Sequence, residues 1–356
     1  MRKPEEFMKK SFRSTWRLFT LLMVVAVCTS LTASAAFADQ MRLVGSGASF
    51  PYPLYSTWFK TFSKANPDIL VDYQAKGSGA GIKDFINKTT DFGASDAAMT
   101  DEQMAKVEGG VQLLPMTAGS IVLAYNVPGV PSDLKLSQEV YPKIFMGEIK
   151  KWNDPLIVKD NPKVKLPDKD ITVVRRADSS GTTFVFTQHL SAISEAWKKA
   201  IGHGTTVNWP SSDKIVAAPK NDGVTATIKQ TPGAIGYIEY GYAKLAKVNM
   251  AALQNKAGNF VMANEKSEME SLSQATIPPD MRVWLPNPEG KGSYPIVTYT
   301  WMLFRKKNGD AKKAEAMRKM VKYCLIEGQK ISNKMGYIPL PQNVVEAVLK
   351  ASENIQ

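Results

Sequence analysis

Four times before residue 185, this chain runs from a short strand-like stretch into a loop of small residues. The loops are Gly45 to Pro51, Lys76 to Gly81, Asp91 to Asp96 and Asp178 to Thr182. Helical spacing follows three of them. That recurrence commits the chain to an α/β fold, because open α/β sheets gather ligand-binding loops at the carboxyl ends of their strands. The last loop carries the most chemistry. Ile171 to Val174 reads as a buried strand and ends in Arg175 and Arg176; Asp178-Ser179-Ser180-Gly181-Thr182 forms a turn; Phe184 to Ala200 reads as a helix ending at Gly202. A helix start presents free N–H groups and a positive dipole end, which suits an anion. Arg175 or Arg176 adds a fork matched to a tetrahedral oxyanion. Taken alone, the stretch fits equally a capped helix behind a surface strand with both arginines in solvent.

The first loop, G-S-G-A-S-F-P, follows Met41 to Val44, and Pro51 is placed to open a helix. Within Leu54 to Ala65, Tyr55, Trp58, Phe59 and Phe62 fall on one helical face. The second loop, K-G-S-G-A-G, lies between the alternating strand Ile69 to Gln74 and a helix carrying Ile82, Phe85 and Ile86. No Gly-Lys pair is followed by Ser or Thr, which excludes a Walker A loop. Leu113 to Pro115 and Ser120 to Asn126 read as strands around a break at Met116 to Gly119, where the chain is expected to cross between domains. Further on come a helix over Gly223 to Gln230, opened by Asn221-Asp222, and a strand over Gly233 to Tyr240. Residues 249–278 read as irregular. A strand over Tyr294 to Phe304 marks the return crossing, and amphipathic helices occupy Ala311 to Glu327 and Val344 to Ala351.

The N-terminus has the pattern of an export signal. Six basic residues precede or border an apolar core, Leu18 to Val27, and Ala36-Phe37-Ala38 gives a small-x-small cleavage site. The core is too short for a membrane span. Cys28 lacks the preceding small residue of a lipoprotein box, so the mature chain is expected to keep only Cys324, a buried hydrophobe that cannot form an internal disulfide. A net charge of +12 without a basic run or aromatic–basic interleaving argues against nucleic acid and is compatible with anionic ligands. His189 and His203 are the only histidines and lie outside the loops, so neither a metal cluster nor a Ser-His-Asp set can be assembled for an exported hydrolase.

With these pieces in order, the sequence resembles the periplasmic phosphate-binding proteins of bacterial phosphate ABC transporters, from about Leu43 to the last helix. The resemblance is carried by residues 45–51, 76–81 and 91–96, G-E-I-K-K-W-N-D-P at 147–155, V-V-R-R-A-D-S-S-G-T-T at 173–183 and P-G-A-I-G-Y-I-E-Y at 232–240. It implies an α/β, two-lobed periplasmic-binding-protein fold of type II, each lobe a sheet flanked by helices with the ligand in the cleft between. The expected division is a signal peptide over 1–38, a first lobe over 39–116 and 298–356, and a second over 117–297. The resemblance further implies that Ser49 and Phe50 supply hydroxyl and backbone donors to phosphate, and that Ser78 does likewise. It makes Asp96 an acceptor from the protonated ligand and Arg176 a fork held by Asp178, with Ser180, Gly181 and Thr182 donating at a helix start. Ser49 stands where threonine is common in the family, and the hydroxyl is kept. Arg175 and Ser179 are neighbours only. The expected molecule is a periplasmic monomer without enzymatic activity, metal or cofactor. It would bind inorganic phosphate and deliver it to the permease subunits of an inner-membrane ABC transporter.

Overall fold

The computed structural model describes residues 40–356, so the expected export signal and its cleavage site lie outside the described residues. The frame is a nine-stranded sheet. Its main strands are β1 (Met41–Gly47), β2 (Ile69–Ala75), β3 (Phe92–Ser95), β4 (Val111–Asn126), β5 (Thr172–Arg176), β6 (Ile215–Ala218), β7 (Ala234–Glu239) and β8 (Val297–Arg305), in the spatial order β2-β1-β3-β8-β4-β7-β5-β6. The short strand Asn249–Met250 adds to β4. Helices α1 (Tyr52–Ala65), α2 (Ser78–Ile86), α3 (Gly181–Ile193), α4 (Lys220–Gln230), α5 (Ala311–Ile326) and α6 (Gln342–Ser352) pack against it.

β4 belongs to two sheets in succession. Its first part, to Ser120, pairs antiparallel with β8, while Ile121 to Asn126 pairs antiparallel with β7. On one side lie the parallel strands β1, β2 and β3, on the other β5, β6 and β7. Two lobes therefore share one strand, and this is the two-lobed α/β architecture of periplasmic binding proteins. The chain returns at Ile296, whose carbonyl accepts the Ile121 N–H at 2.9 Å, directly beside the outward crossing.

Apolar spacing explains the layers. Leu54, Tyr55, Trp58, Phe59 and Phe62 all turn inward from α1. Burying such side chains stabilises the lobe by about 1.5–3 kcal/mol each. β8 is buried along its whole length because both its faces are covered, its apolar side chains interrupted only by Thr298, Thr300 and the terminal Arg305.

Three expectations are corrected. β4 runs unbroken through 116–119. Thr300 faces Thr117 and Trp301 faces Pro115, leaving Met116 as the extra residue of a β-bulge, where a proline without an N–H is tolerated. Gly119 is extended rather than turning; it is small because a Cβ there would lie 2.9 Å from the Phe50 ring. The helix expected over 184–200 begins at Gly181 and divides at Ser194, whose side chain caps a second helix, Glu195–Ala200. The stretch 249–278, read as irregular, holds short strands and a helix, Glu265–Leu272, started by a capping box between Asn264 and Ser267.

Candidate functional site

Strand ends and helix starts meet where the lobes face each other. From the first lobe, the loop after β1 brings Ser49 and Phe50, the start of α2 brings Ser78, and the tip of β3 brings Asp96. From the second, the end of β5 brings Arg176 and Asp178, and the start of α3 brings Ser180, Gly181 and Thr182. Ser49, Ser78, Asp96, Arg176, Ser180 and Thr182 are all buried. The nine residues expected from the sequence form one connected cluster.

The connections are specific. Arg176 Nε donates to Asp178 Oδ1 at 2.9 Å, and its Nη2 donates to Asp178 Oδ2. That fork fixes the guanidinium plane and leaves Nη1 to donate to Thr182 Oγ1 at 3.2 Å. Burial raises the Asp178 carboxyl, but the hydrogen bonds and charge of Arg176 and the Lys220 N–H outweigh it, holding the group below its ordinary range. Ser180 caps α3 by accepting the Thr183 N–H at 3.1 Å, which leaves the N–H groups of Gly181 and Thr182 at the helix start without intrahelical acceptors. Arg175 instead turns its Nη1 to the Arg176 carbonyl at 3.0 Å.

Asp96 sits opposite this cationic fork and is fully enclosed. Thr300 Oγ1 donates to its Oδ1 at 2.8 Å, and Ser78 Oγ lies 3.4 Å from its Oδ2. Burial pushes its carboxyl up to about 7, against the hydrogen bonds of Thr300 and Ser78 and the charge of Arg176. Arg176 and Asp178 cancel formally, so the cleft carries little net charge. Hydroxyls, backbone N–H groups, helix dipoles and the Arg176 guanidinium are the groups it could offer an anion.

The lobes touch closely. A Cβ on Gly181 would lie 2.4 Å from Ser78 Oγ and 2.7 Å from Asp96 Cβ; one on Gly79 would lie 2.0 Å from Ser179 Oγ. The Gly79 N–H donates across the gap to the Ser179 carbonyl at 3.0 Å. Tyr242 and Tyr337 hold the first loop from behind, donating to the carbonyls of Ser49 at 2.6 Å and Phe50 at 2.8 Å. Their distance along the chain hid them from a sequence reading, as it hid Thr300. Asn221 was also missed: it was read as preceding a helix, but α4 begins at Lys220 and brings Asn221 into the cluster. An asparagine at a helix start after a strand-like stretch repeats the pattern of the other loops, and that signal was available. His189 lies elsewhere, its Nε2 2.7 Å from the Tyr141 hydroxyl, and burial pushes it down to about 3. His203 packs edge-on against Phe184.

Comparisons with known proteins agree with this architecture. The family model described as a PBP superfamily domain matches residues 32–324. A phosphate-binding protein PstS of Haemophilus influenzae is 38% identical over 315 residues, covering 88% of this chain and 92% of the relative. That of Pasteurella multocida is 38% identical over 329 residues, covering 92% and 93%. Among solved structures, a phosphate-binding protein from Stenotrophomonas maltophilia superposes with a TM-score of 0.72 at 20% identity, over 87% of this chain and 93% of that one. Identity of that level over nearly the whole of both chains, with the two-lobed fold it requires, places this chain in the PstS family of phosphate-binding proteins.

Proposed function

We propose that this protein binds inorganic phosphate, stripped of its water, between the two lobes and hands it to the permease subunits of an ABC transporter at the inner membrane. It acts as a monomeric periplasmic carrier after export. The reading keeps the lobes proposed from the sequence, 39–116 with 298–356 and 117–297, joined close to where β4 exchanges β8 for β7, with the ligand bridging them. Phosphate is a substrate to be carried, and the relatives bear the names of binding proteins, so the role is not enzymatic.

The observation that carries this reading is the meeting of three helix starts and one arginine fork around a single buried carboxyl. Ser49, Phe50, Ser78, Ser180, Gly181 and Thr182 donate to the phosphate oxygens. Arg176, held by Asp178, supplies the charged pair of bonds. Charge-assisted hydrogen bonds contribute about 1.5–3 kcal/mol each, so several together offset dehydration of the anion. Once ionised, above about pH 7, Asp96 would repel any anion that brings no proton. Phosphate near neutral pH carries at least one, so a single proton lies between ligand and carboxyl. Sulfate brings none and leaves two acceptors facing each other in a dry site, a mismatch that rejects strongly.

Isothermal titration of the purified mature protein tests this. Phosphate and arsenate are expected to bind at pH 8 and sulfate to give no heat. Equal affinity for sulfate would remove both the ligand and the role given to Asp96.

A further inference from the structure

We propose that Asn221 is a positioning residue: its amide makes the hydroxyls of Ser49 and Thr182 obligatory donors to the anion and at the same time joins the two lobes. The inference rests on the phosphate reading above.

Asn221 is fully buried at the start of α4. Its Oδ1 accepts the backbone N–H of Glu239 at 3.0 Å. A backbone N–H can only donate, so this bond decides which end of the amide is oxygen. The Nδ2 end must then face the cleft. There it lies 3.1 Å from Ser49 Oγ and 3.2 Å from Thr182 Oγ1, one proton for each. The Asn221 backbone N–H reaches Ser49 Oγ as well, at 3.2 Å.

A hydroxyl has two lone pairs and one proton, and ordinarily rotates to suit whatever is near. Here that freedom is used up. Ser49 Oγ receives the backbone N–H and the Nδ2–H of Asn221. Thr182 Oγ1 receives the Nδ2–H of Asn221 and Nη1–H of Arg176. With both lone pairs of each oxygen occupied, the proton is all that either hydroxyl has left to offer. An oxyanion asks for donors, and donors already turned toward it need no reorganisation when it arrives. A neutral amide does this without adding charge beside Asp96 and Arg176.

The same bonds cross the cleft, since Ser49 belongs to the first lobe and Asn221 to the second. The backbone before Asn221 is unusual too. Lys220 has φ of +56°, a conformation rare for a residue with a Cβ, and its N–H is tied to Asp178 Oδ1 at 2.9 Å. That strain is held where it delivers Asn221 into the cleft.

A double-mutant cycle on the mature protein, read as the Kd for inorganic phosphate, separates this role from a structural one. Asn221→Ala is expected to weaken binding roughly ten- to a hundredfold, in the range of coupling between directly bonded residues. In a Ser49→Ala/Thr182→Val background, where no hydroxyl remains to orient, the same change should cost less than about threefold. Asn221→Leu repeats the cycle with a neutral side chain of similar shape that lacks the Nδ2 donors, so it serves if the alanine variant folds poorly. An equal loss in both backgrounds, or no loss in the otherwise wild-type chain, overturns the inference while leaving phosphate binding intact. Failure of the wild-type protein to bind phosphate overturns the functional reading, and this inference falls with it.

Discussion

Asp96 is the residue on which pH should act. Burial raises its carboxyl to about 7, so in the ligand-free cleft it keeps a proton through the acidic range and loses it near neutrality. The sequence led to an ionised carboxylate, because an ordinary aspartate is charged from about pH 4 upward; enclosure by both lobes, which no local pattern announces, changes that. Below pH 7 a protonated Asp96 can donate to an oxyanion that has no proton of its own. The preference for phosphate over sulfate should therefore be larger at pH 8 than at pH 5.5 in competition titrations, and Asp96→Asn should make it nearly pH-independent. An undiminished preference at pH 5.5 would contradict this role for the carboxyl. Stability moves in the same window. The folded protein holds the extra proton between about pH 4 and 7 and the unfolded chain does not, so stability falls as pH rises through that range, by at most about 1.4 kcal/mol per pH unit for this group. Glu268, buried against Ser120 and also pushed up to about 7, adds a slope of the same sign, so Asp96→Asn should flatten the Tm profile only in part.

At the scale of elements, the helix starts are shaped by the opposite lobe. Gly79 lies inside α2 with no positive φ, and alanine there would favour the helix by about 1 kcal/mol. The objection comes from Ser179, 2.0 Å from the added methyl and about a hundred residues away in the chain. Gly79→Ala should therefore leave the ligand-free Tm unchanged or slightly higher yet weaken phosphate binding by roughly tenfold or more, the usual scale of overpacking strain. Ser179→Gly in the same chain should restore most of the loss by titration. This contrast marks what was legible. Strands, small-residue loops and the aromatic face of α1 are local patterns, and sequence periodicity reveals them. The reason for Gly79 or Gly181 is not local: a Cβ on either would meet side chains from far along the chain. Pro115 and Gly119 misled in the opposite direction. Each is a local breaker, but one is absorbed by a bulge against β8 and the other makes room for Phe50. Thr300, in the middle of a wholly buried strand, gave no polar pattern to follow even though it meets Asp96.

For the whole molecule, β4 exchanges β8 for β7 at Ser120–Ile121, directly beside the returning chain at Ile296–Val297. A pair of neighbouring strands can bend without losing their ladder, so hinge motion about them is the natural response to emptying the cleft. The bonds of Gly79 to Ser179 and of Asn221 to Ser49 belong to the shut arrangement. Solution scattering should give a smaller radius of gyration with phosphate than without, and superimposable curves would argue against an opening hinge. On the carrier reading proposed above, the contact between Gly79 and Ser179 has one further effect, on timing. While it is made, Ser78, Asp96, Arg176 and Thr182 behind it are buried, and an ion held among them would leave only when the lobes part. Its residence time is then set by how often the hinge opens, whichever single hydrogen bond is strongest. A carrier built this way holds its cargo for an interval fixed by its own backbone, and anything that pries the lobes apart governs release.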